Sequence, residues 1–405
     1  MEELEKLNMS DSKIRFTELA ANGTQATILQ TVRDVSPISR TGIVSLTGQP
    51  HAAVSRSVAT LLDTGLVTES ALTDTRGPRR KRGIRLNPQF GYCLAVEYRT
   101  SVIEGVVVNT AYETVLSKTH QVHFTDATEE EITKMIINFL NELKDEVPES
   151  LGRCLGVAVV DPGAIDTVAG MTIMATSFKH WANVRIVEII ENHLHLPVIL
   201  LNTSTAKIRA IDRLELRNAY KNVAYIEYGD GIGCGLKLEG NYIQGCNNVA
   251  GELGHIRVTD EPVLCRCGGY GCLEAVAALH VLAEKATAVI ADDMNMSNQA
   301  EIDGIKILEA AAKGDRLATY LVDQAFDYLG RAVATLVNIV NPEVVVFDNK
   351  ISVAGEEAYN VLLRSLRKYT FHPSFKSLDL RISRTGSYLG ALGGAASVMD
   401  RCLEY

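Results

Sequence analysis

At 405 residues the chain is long enough for two or three domains of roughly 100–200 residues each, and so for a large buried core. Hydrophobic residues make up 46% and charged residues 22%, with 31 Gly and only 10 Pro, which excludes disordered and fibrous classes. The net charge of -9 argues against nucleic acid for the chain as a whole, yet residues 1–90 hold 12 Lys+Arg against 9 Asp+Glu, so the acidity belongs to the remainder.

The polar opening MEELEKLNMSDSK has no signal-peptide pattern, and no apolar run approaches the ~20 residues of a membrane span. A cytoplasmic protein without membrane insertion is expected. From Thr24 to Val67 the spacing of Ile28, Leu29, Val32, Val35, Ile43 and Leu46 predicts two short helices. The turn Thr47-Gly48-Gln49-Pro50 follows, then a helix over His51–Thr64 with Val54, Val58, Leu61 and Leu62 on one face. Gly65 suits the left-handed residue that ends a helix. Leu66–Glu69 and Ile84–Leu86 are short enough to be the two strands of a wing, which completes a winged helix-turn-helix pattern.

In that arrangement the first residues of the second helix meet base edges, here His51, Ala52, Ser55 and Arg56 with Gln49 in the turn. Arg pairs bidentately with guanine, and Ser and Gln both donate and accept. Such a helix taken alone is an ordinary exposed face. Beside it, however, Arg76–Arg85 contains six basic residues and no acidic one, among them Arg79, Arg80, Lys81 and Arg82. A Gly/Pro-punctuated cationic strip next to a recognition helix can follow phosphates or enter a narrow minor groove. The conjunction predicts binding to double-stranded DNA, with half-sites read by a homodimer or homotetramer.

Beyond Pro88 strands and helices alternate, predicting an α/β body. Strands are expected at Tyr92–Glu97, Ile103–Asn109, Cys154–Val160, Val198–Leu201, Val223–Tyr228, Cys234–Leu238 and Val344–Phe347. Helices are expected at Glu129–Lys144, Val184–His193, Ser204–Glu215, Leu273–Asp292 and Leu317–Val340.

Of 8 cysteines, Cys93, Cys154, Cys234, Cys246 and Cys402 are scattered, while Cys265, Cys267 and Cys272 crowd into one Gly-rich stretch. In a cytosolic setting that clustering favours a metal over a disulfide framework. With His255 as fourth ligand the set is Cys₃His, a closed composition typical of structural Zn²⁺.

Several motifs together resemble the repressor, open reading frame and kinase (ROK) family, most nearly its glucose- and N-acetylglucosamine-repressor branch. They are Ser39-Arg40, Val54-Ser55-Arg56, the basic Gly77–Pro88, Gly156–Asp166 ending Pro-Gly-Ala-Ile-Asp, Gly229–Gly235, Ala250–His255, Cys265–Glu274, Asn341-Pro342 and Gly390–Ala396. The resemblance implies a two-lobed actin-like body of the sugar kinase and Hsp70 type behind the head, with a sugar in the cleft and the C-terminal helix returning to the first lobe. The implied division is 1–88 for the head and basic linker, 89–203 completed by 386–405 for the first lobe, and 204–385 for the second. It carries Gly163 next to Pro162, Asn202, Glu252, His255 and Glu274 over as sugar-binding residues. Carboxylates and imidazole are good partners for vicinal hydroxyls, and a metal-bound His255 is held in one orientation.

Three departures from the kinase pattern argue against catalysis. Asn202 is followed by Thr203 where the kinases carry an Asp base, and a threonine hydroxyl is no base near neutral pH. The first phosphate loop is replaced by Glu97-Tyr98-Arg99-Thr100, without its glycines, and Asp230 puts a negative charge in the second Gly-rich loop. The expectation is a repressor of carbohydrate genes with a catalytically dead, sugar- or sugar-phosphate-binding cleft. An ATP-dependent sugar kinase and a regulator sequestered by a protein partner are the alternatives.

Overall fold

A computed structural model describes residues 18–71, 82–175, 177–293 and 303–403. Arg79, Arg80 and Lys81 of the basic strip lie outside the described residues. The described chain forms two compact units, divided after Ala206, with the chain from Gly390 onward rejoining the first.

The first unit begins with helices α1 (Gly23–Val35), α2 (Arg40–Thr47) and α3 (His51–Asp63). Asn22 caps α1 by accepting from Gln25 N at 3.0 Å, and Ser39 caps α2 by accepting from Gly42 N at 3.0 Å. Gly48, at φ 66°, takes the left-handed conformation that ends α2 and turns the chain into α3. Strands β1 (Val67–Ala71) and β2 (Arg82–Leu86) pair antiparallel as the wing, with Val67 opposite Leu86. Ile28, Leu29, Val32, Ile43, Val54, Val58 and Leu61 are buried in one core with Ile84 and Leu86 of the wing. Each such side chain contributes about 2 kcal/mol by leaving water.

The body of this unit runs β3 (Gly91–Tyr98), β4 (Val102–Asn109), β5 (Thr114–Gln121), α4 (Glu129–Asp145), β6 (Arg153–Asp161), β7 (Ala164–Asp166), β8 (Met171–Met174), β9 (Ala182–Val184), α5 (Ile186–Leu194) and β10 (Val198–Asn202). Its main sheet has the order β10-β6-β3-β4-β5, and β7, β8 and β9 make a small second sheet. Every residue of β3 is buried, as expected for a central strand covered on both faces. Helix α4 lies close on β4, where a Cβ on Gly105 would fall 2.5 Å from the Phe139 ring.

Helix α6 (Thr203–Leu214) leads the chain into the second unit. There follow β11 (Val223–Tyr228), β12 (Ile232–Leu238), β13 (Asn241–Ile243), a 3-10 turn at Leu253–His255, α7 (Leu273–Ala277), α8 (Leu279–Asp293), α9 (Gly304–Ala312), α10 (Arg316–Val340), β14 (Val344–Phe347), a second 3-10 segment at Asn349–Ala354, α11 (Gly355–Tyr369), α12 (His372–Ser377) and β15 (Asp379–Ile382). The sheet order is β13-β12-β11-β14-β15, with β11, β14 and β15 parallel. Counted within each sheet, both main sheets have the order 3-2-1-4-5, so one topological plan is used twice. The last helix, α13 (Leu389–Leu403), returns to the first unit. Among the described residues no helix is long and apolar enough to cross a membrane.

Two expected helices differ. Leu273–Asp292 is broken at Ala278, which is extended at φ -68° and ψ 157°, so Glu274 and His280 sit on separate helices. The Val184–His193 helix starts at Ile186, because Val184 pairs with Thr172 as the end of β9. The edge strand β5 was not expected, since its half-exposed sequence TVLSKTHQ carries no clean apolar alternation. Strands β7, β8, β9, β13 and β15, of three or four residues each, are too short to show a period.

Candidate functional site

In the head, α3 buries Val54, Val58 and Leu61 and turns His51, Ala52 and Arg56 to solvent, with Ser55 and Gln49 half-buried. Pro50 precedes the helix and makes no side-chain cap, so the first turn is not closed by a side chain of its own. Ser55 Oγ lies 3.4 Å from His51 Nδ1 on the exposed side. Arg82, expected to contact phosphate, donates to Glu69 across the wing at 2.6 Å, and Arg40 faces the same carboxylate at 3.6 Å. Its charge is therefore partly answered within the protein.

In the second unit, His255, Cys265, Cys267 and Cys272 come together with all four ligand atoms within 4.8 Å of one another. Cys265 Sγ is 3.7 Å from His255 Nδ1, and Cys267 Sγ is 3.8 Å from Cys272 Sγ. Those are edge lengths of a tetrahedron whose centre lies about 2.3 Å from each sulfur, so the four groups fit a metal ion. Burial raises the Cys265 and Cys272 thiols above their usual range, while the Gly269 N–H lowers Cys267. A divalent cation at the centre would hold all three as thiolates.

The same cluster ties together the segments that carry the expected sugar ligands. Leu273 N donates to Ile256 O at 3.0 Å and Val258 N to Gly271 O at 2.9 Å, joining the His255 turn to the Cys₃ loop and to Glu274 at the start of α7. Glu252 Oε2 lies 3.7 Å from His255 Nε2, on the opposite side of the ring from the thiols. Partial desolvation raises the Glu252 carboxyl although its side chain is 55% exposed, and Glu274 and Glu227 add to the rise against the pull of His255. Gly251 has no room for a side chain, because a Cβ would sit 1.8 Å from Cys234 O. The half-buried Glu274 accepts from Ile232 N at 3.2 Å, which anchors it to the Gly229–Gly231 loop. Exposed Asp230 offers its main-chain oxygen to His280 Nδ1 at 2.9 Å.

In the first unit, Asn202 ends β10 and accepts from Thr205 N at 2.9 Å, so its side chain caps α6. Thr203 Oγ1 donates to Asp161 O at 3.3 Å. Pro162-Gly163 forms the turn after β6, and Gly163 N donates to Asp161 Oδ1 at 2.7 Å. At Glu97-Tyr98-Arg99-Thr100, β3 continues through Tyr98 and turns tightly, with Arg99 N donating to Val102 O at 2.8 Å. Sequence reasoning missed Asp161, Thr172 and Trp181, which meet here below the Gly163 turn. The single tryptophan and the dipeptide Asp161-Pro162 were the available signals.

The ROK family model matches residues 93–401. A xylose repressor from Caldicellulosiruptor bescii is 26% identical over 383 residues, covering 93% of this chain and 96% of its own. A glucokinase from Halalkalibacterium halodurans is 30% identical over 272 residues, covering 65% of this chain and 82% of its own. Among solved structures, a ROK family transcriptional regulator described as a homologue of the E. coli MLC protein superposes with TM-score 0.80 at 24% identity, covering 94% of this chain and 96% of its own.

Proposed function

The chain belongs to the ROK family, and from that premise we propose that it is a DNA-binding repressor of carbohydrate genes, released by a sugar or sugar phosphate bound in its body. The observation that carries this reading is that a helix-turn-helix with wing precedes the family body, and that the similarity to a xylose repressor spans 93% of the chain, head included. In this reading α3 reads bases through Gln49, His51, Ser55 and Arg56, while Arg79, Arg80, Lys81 and Arg82 track phosphates. Two copies present two heads to paired half-sites, and effector binding shifts the balance between DNA-competent and DNA-released states.

The effector ligands are Gly163, Asn202, Glu252, His255 and Glu274. His255, Cys265, Cys267 and Cys272 hold a structural Zn²⁺, which fixes the His255 ring and keeps Glu252 and Glu274 within reach of one ligand. The proposed domains are 1–88, 89–203 with 386–405, and 204–385, in a cytoplasmic protein. The protein is not an enzyme on this reading, since Thr203 stands in the position of the kinase base and its hydroxyl is bound to a main-chain oxygen.

The glucokinase relative makes phosphoryl transfer the rival reading. Purified protein is titrated against duplex DNA selected from a random pool, with and without D-xylose, D-glucose, N-acetylglucosamine and glucose 6-phosphate, and assayed for sugar-dependent ATP turnover. Selective duplex binding relieved by one of these compounds, with no turnover, is expected. Turnover at about 1 s⁻¹ or faster without duplex binding would overturn the reading.

A further inference from the structure

Asp161 is fully buried, and among the described residues its carboxylate meets four neutral donors and no cation. Tyr98 Oη, Thr172 Oγ1 at 2.5 Å and Trp181 Nε1 at 3.0 Å all converge on Oδ2, while Gly163 N donates to Oδ1 at 2.7 Å. Tyr98, Thr172 and Trp181 are themselves buried, and Tyr98 stands edge-on to Trp181, Phe178 and Phe124 with ring centroids 5.7, 6.1 and 6.4 Å away. A buried carboxylate held by this many donors has its position dictated closely, because losing any donor leaves charge uncompensated in a low-dielectric interior.

The same residue joins two segments of the proposed effector site. Its side chain holds the Pro162-Gly163 turn, and its main-chain oxygen accepts from Thr203, next to Asn202. The turn is also closed from the other side, since a Cβ on Gly163 would fall 2.4 Å from Met174 O. Pro162 has no N–H, and that of Gly163 is engaged by Asp161, so this turn presents acceptors and no free main-chain donor at those two residues. Acceptors suit hydroxyls, which donate, and disfavour a phosphate dianion, which at neutral pH chiefly accepts.

We infer that Asp161 is a positioning residue of the effector site, held by Tyr98, Thr172 and Trp181, and that it adapts the site to an uncharged hydroxyl-bearing sugar in preference to a phosphorylated one. The inference rests on the proposed effector reading.

Asp161→Asn tests it selectively. Trp181 Nε1 can only donate, which keeps the amide oxygen at the Oδ2 position, so the new amide nitrogen must face Gly163 N, replacing a hydrogen bond with two opposed donors. Duplex release is titrated with D-xylose, D-glucose and glucose 6-phosphate for both proteins, alongside sugar-free duplex affinity, the thermal midpoint and emission from Trp181, the single tryptophan of the chain. Expected is release by a neutral sugar, a matching emission change, and an Asp161→Asn midpoint for that sugar weakened about tenfold with sugar-free duplex affinity unchanged.

An unchanged sugar midpoint in Asp161→Asn overturns the inference, as does release by glucose 6-phosphate alone, which leaves the repressor reading standing. No response to either neutral sugar overturns the inference, and the sugar-free duplex titration decides the repressor reading separately. Should Asp161→Asn fail to fold, wild-type emission decides: release of DNA by a sugar with no change at Trp181 overturns the coupling, and a change with the same midpoint supports it.

Discussion

Arg33 of the first head helix and Asp400 of the last helix form an ion pair at 3.0 Å, across 367 positions of sequence, and Tyr112 Oη donates to the same carboxylate oxygen at 2.7 Å. Leu19 N donates to Cys402 O at 2.9 Å alongside, and Leu403 enters the head core with Leu29, Val58 and Leu61. The C-terminal helix therefore docks on the head as well as on the body sheet, where Gly394 packs against Ala158 and Val160.

Loss of that docking is measurable. The Arg33 and Asp400 side chains are 16% and 21% exposed, between the surface and buried limits, so Asp400→Ala is expected to cost about 1–2 kcal/mol in head stability. Leu403→Ala is expected to cost about 2–3 kcal/mol by opening the head core. Hydrogen exchange over residues 23–35 should accelerate in both, with amides of β11 unaffected. Equal acceleration in β11 would show that the head is not docked through this helix.

One zinc per chain is expected by atomic emission, lost in Cys267→Ser and His255→Ala. Chelation is expected to lower the thermal midpoint and abolish effector response before it abolishes duplex binding, because the ligand residues lie in the second unit and the head in the first. Full metal content in both variants would contradict the assigned ligands.

The proposed DNA contacts separate by type. Arg56→Ala is expected to weaken the selected duplex by about 1–3 kcal/mol and random duplex far less. Neutralising Arg79, Arg80 and Arg82 together is expected to weaken both, and to reduce the slope of log affinity against log salt by up to about 2.7. The Glu69 contact is expected to reduce the share that Arg82 contributes. Indistinguishable effects on specific and random duplex from the two changes would contradict the assigned roles.

A buried charge pair in the second unit offers a control away from any proposed contact. Lys237 Nζ donates to Asp212 Oδ2 at 2.5 Å and Tyr242 Oη to the same oxygen at 2.7 Å, with Asp212 fully buried. Lys237→Met leaves that carboxylate without its cation and is expected to cost about 3–5 kcal/mol, whereas Lys237→Met with Asp212→Leu should recover much of it. Chemical denaturation of the two variants checks the order; a double variant no better than the single would show that the pair is not the source of the loss.

The sequence alone determined the helix-turn-helix, because Val54, Val58 and Leu61 mark one face of one helix, and it brought His255 together with Cys265, Cys267 and Cys272, because three thiols within eight residues need only a local fold to meet. Local spacing carries such information, since a period or a short loop is written in neighbouring residues. The Arg33 contact with Asp400, the meeting of Tyr98, Thr172 and Trp181 around Asp161, the break at Ala278 and the repeated sheet order were decided only in three dimensions. Each depends on segments distant in sequence packing side by side, and a residue that finds its partner that way carries no periodic mark in its own neighbourhood.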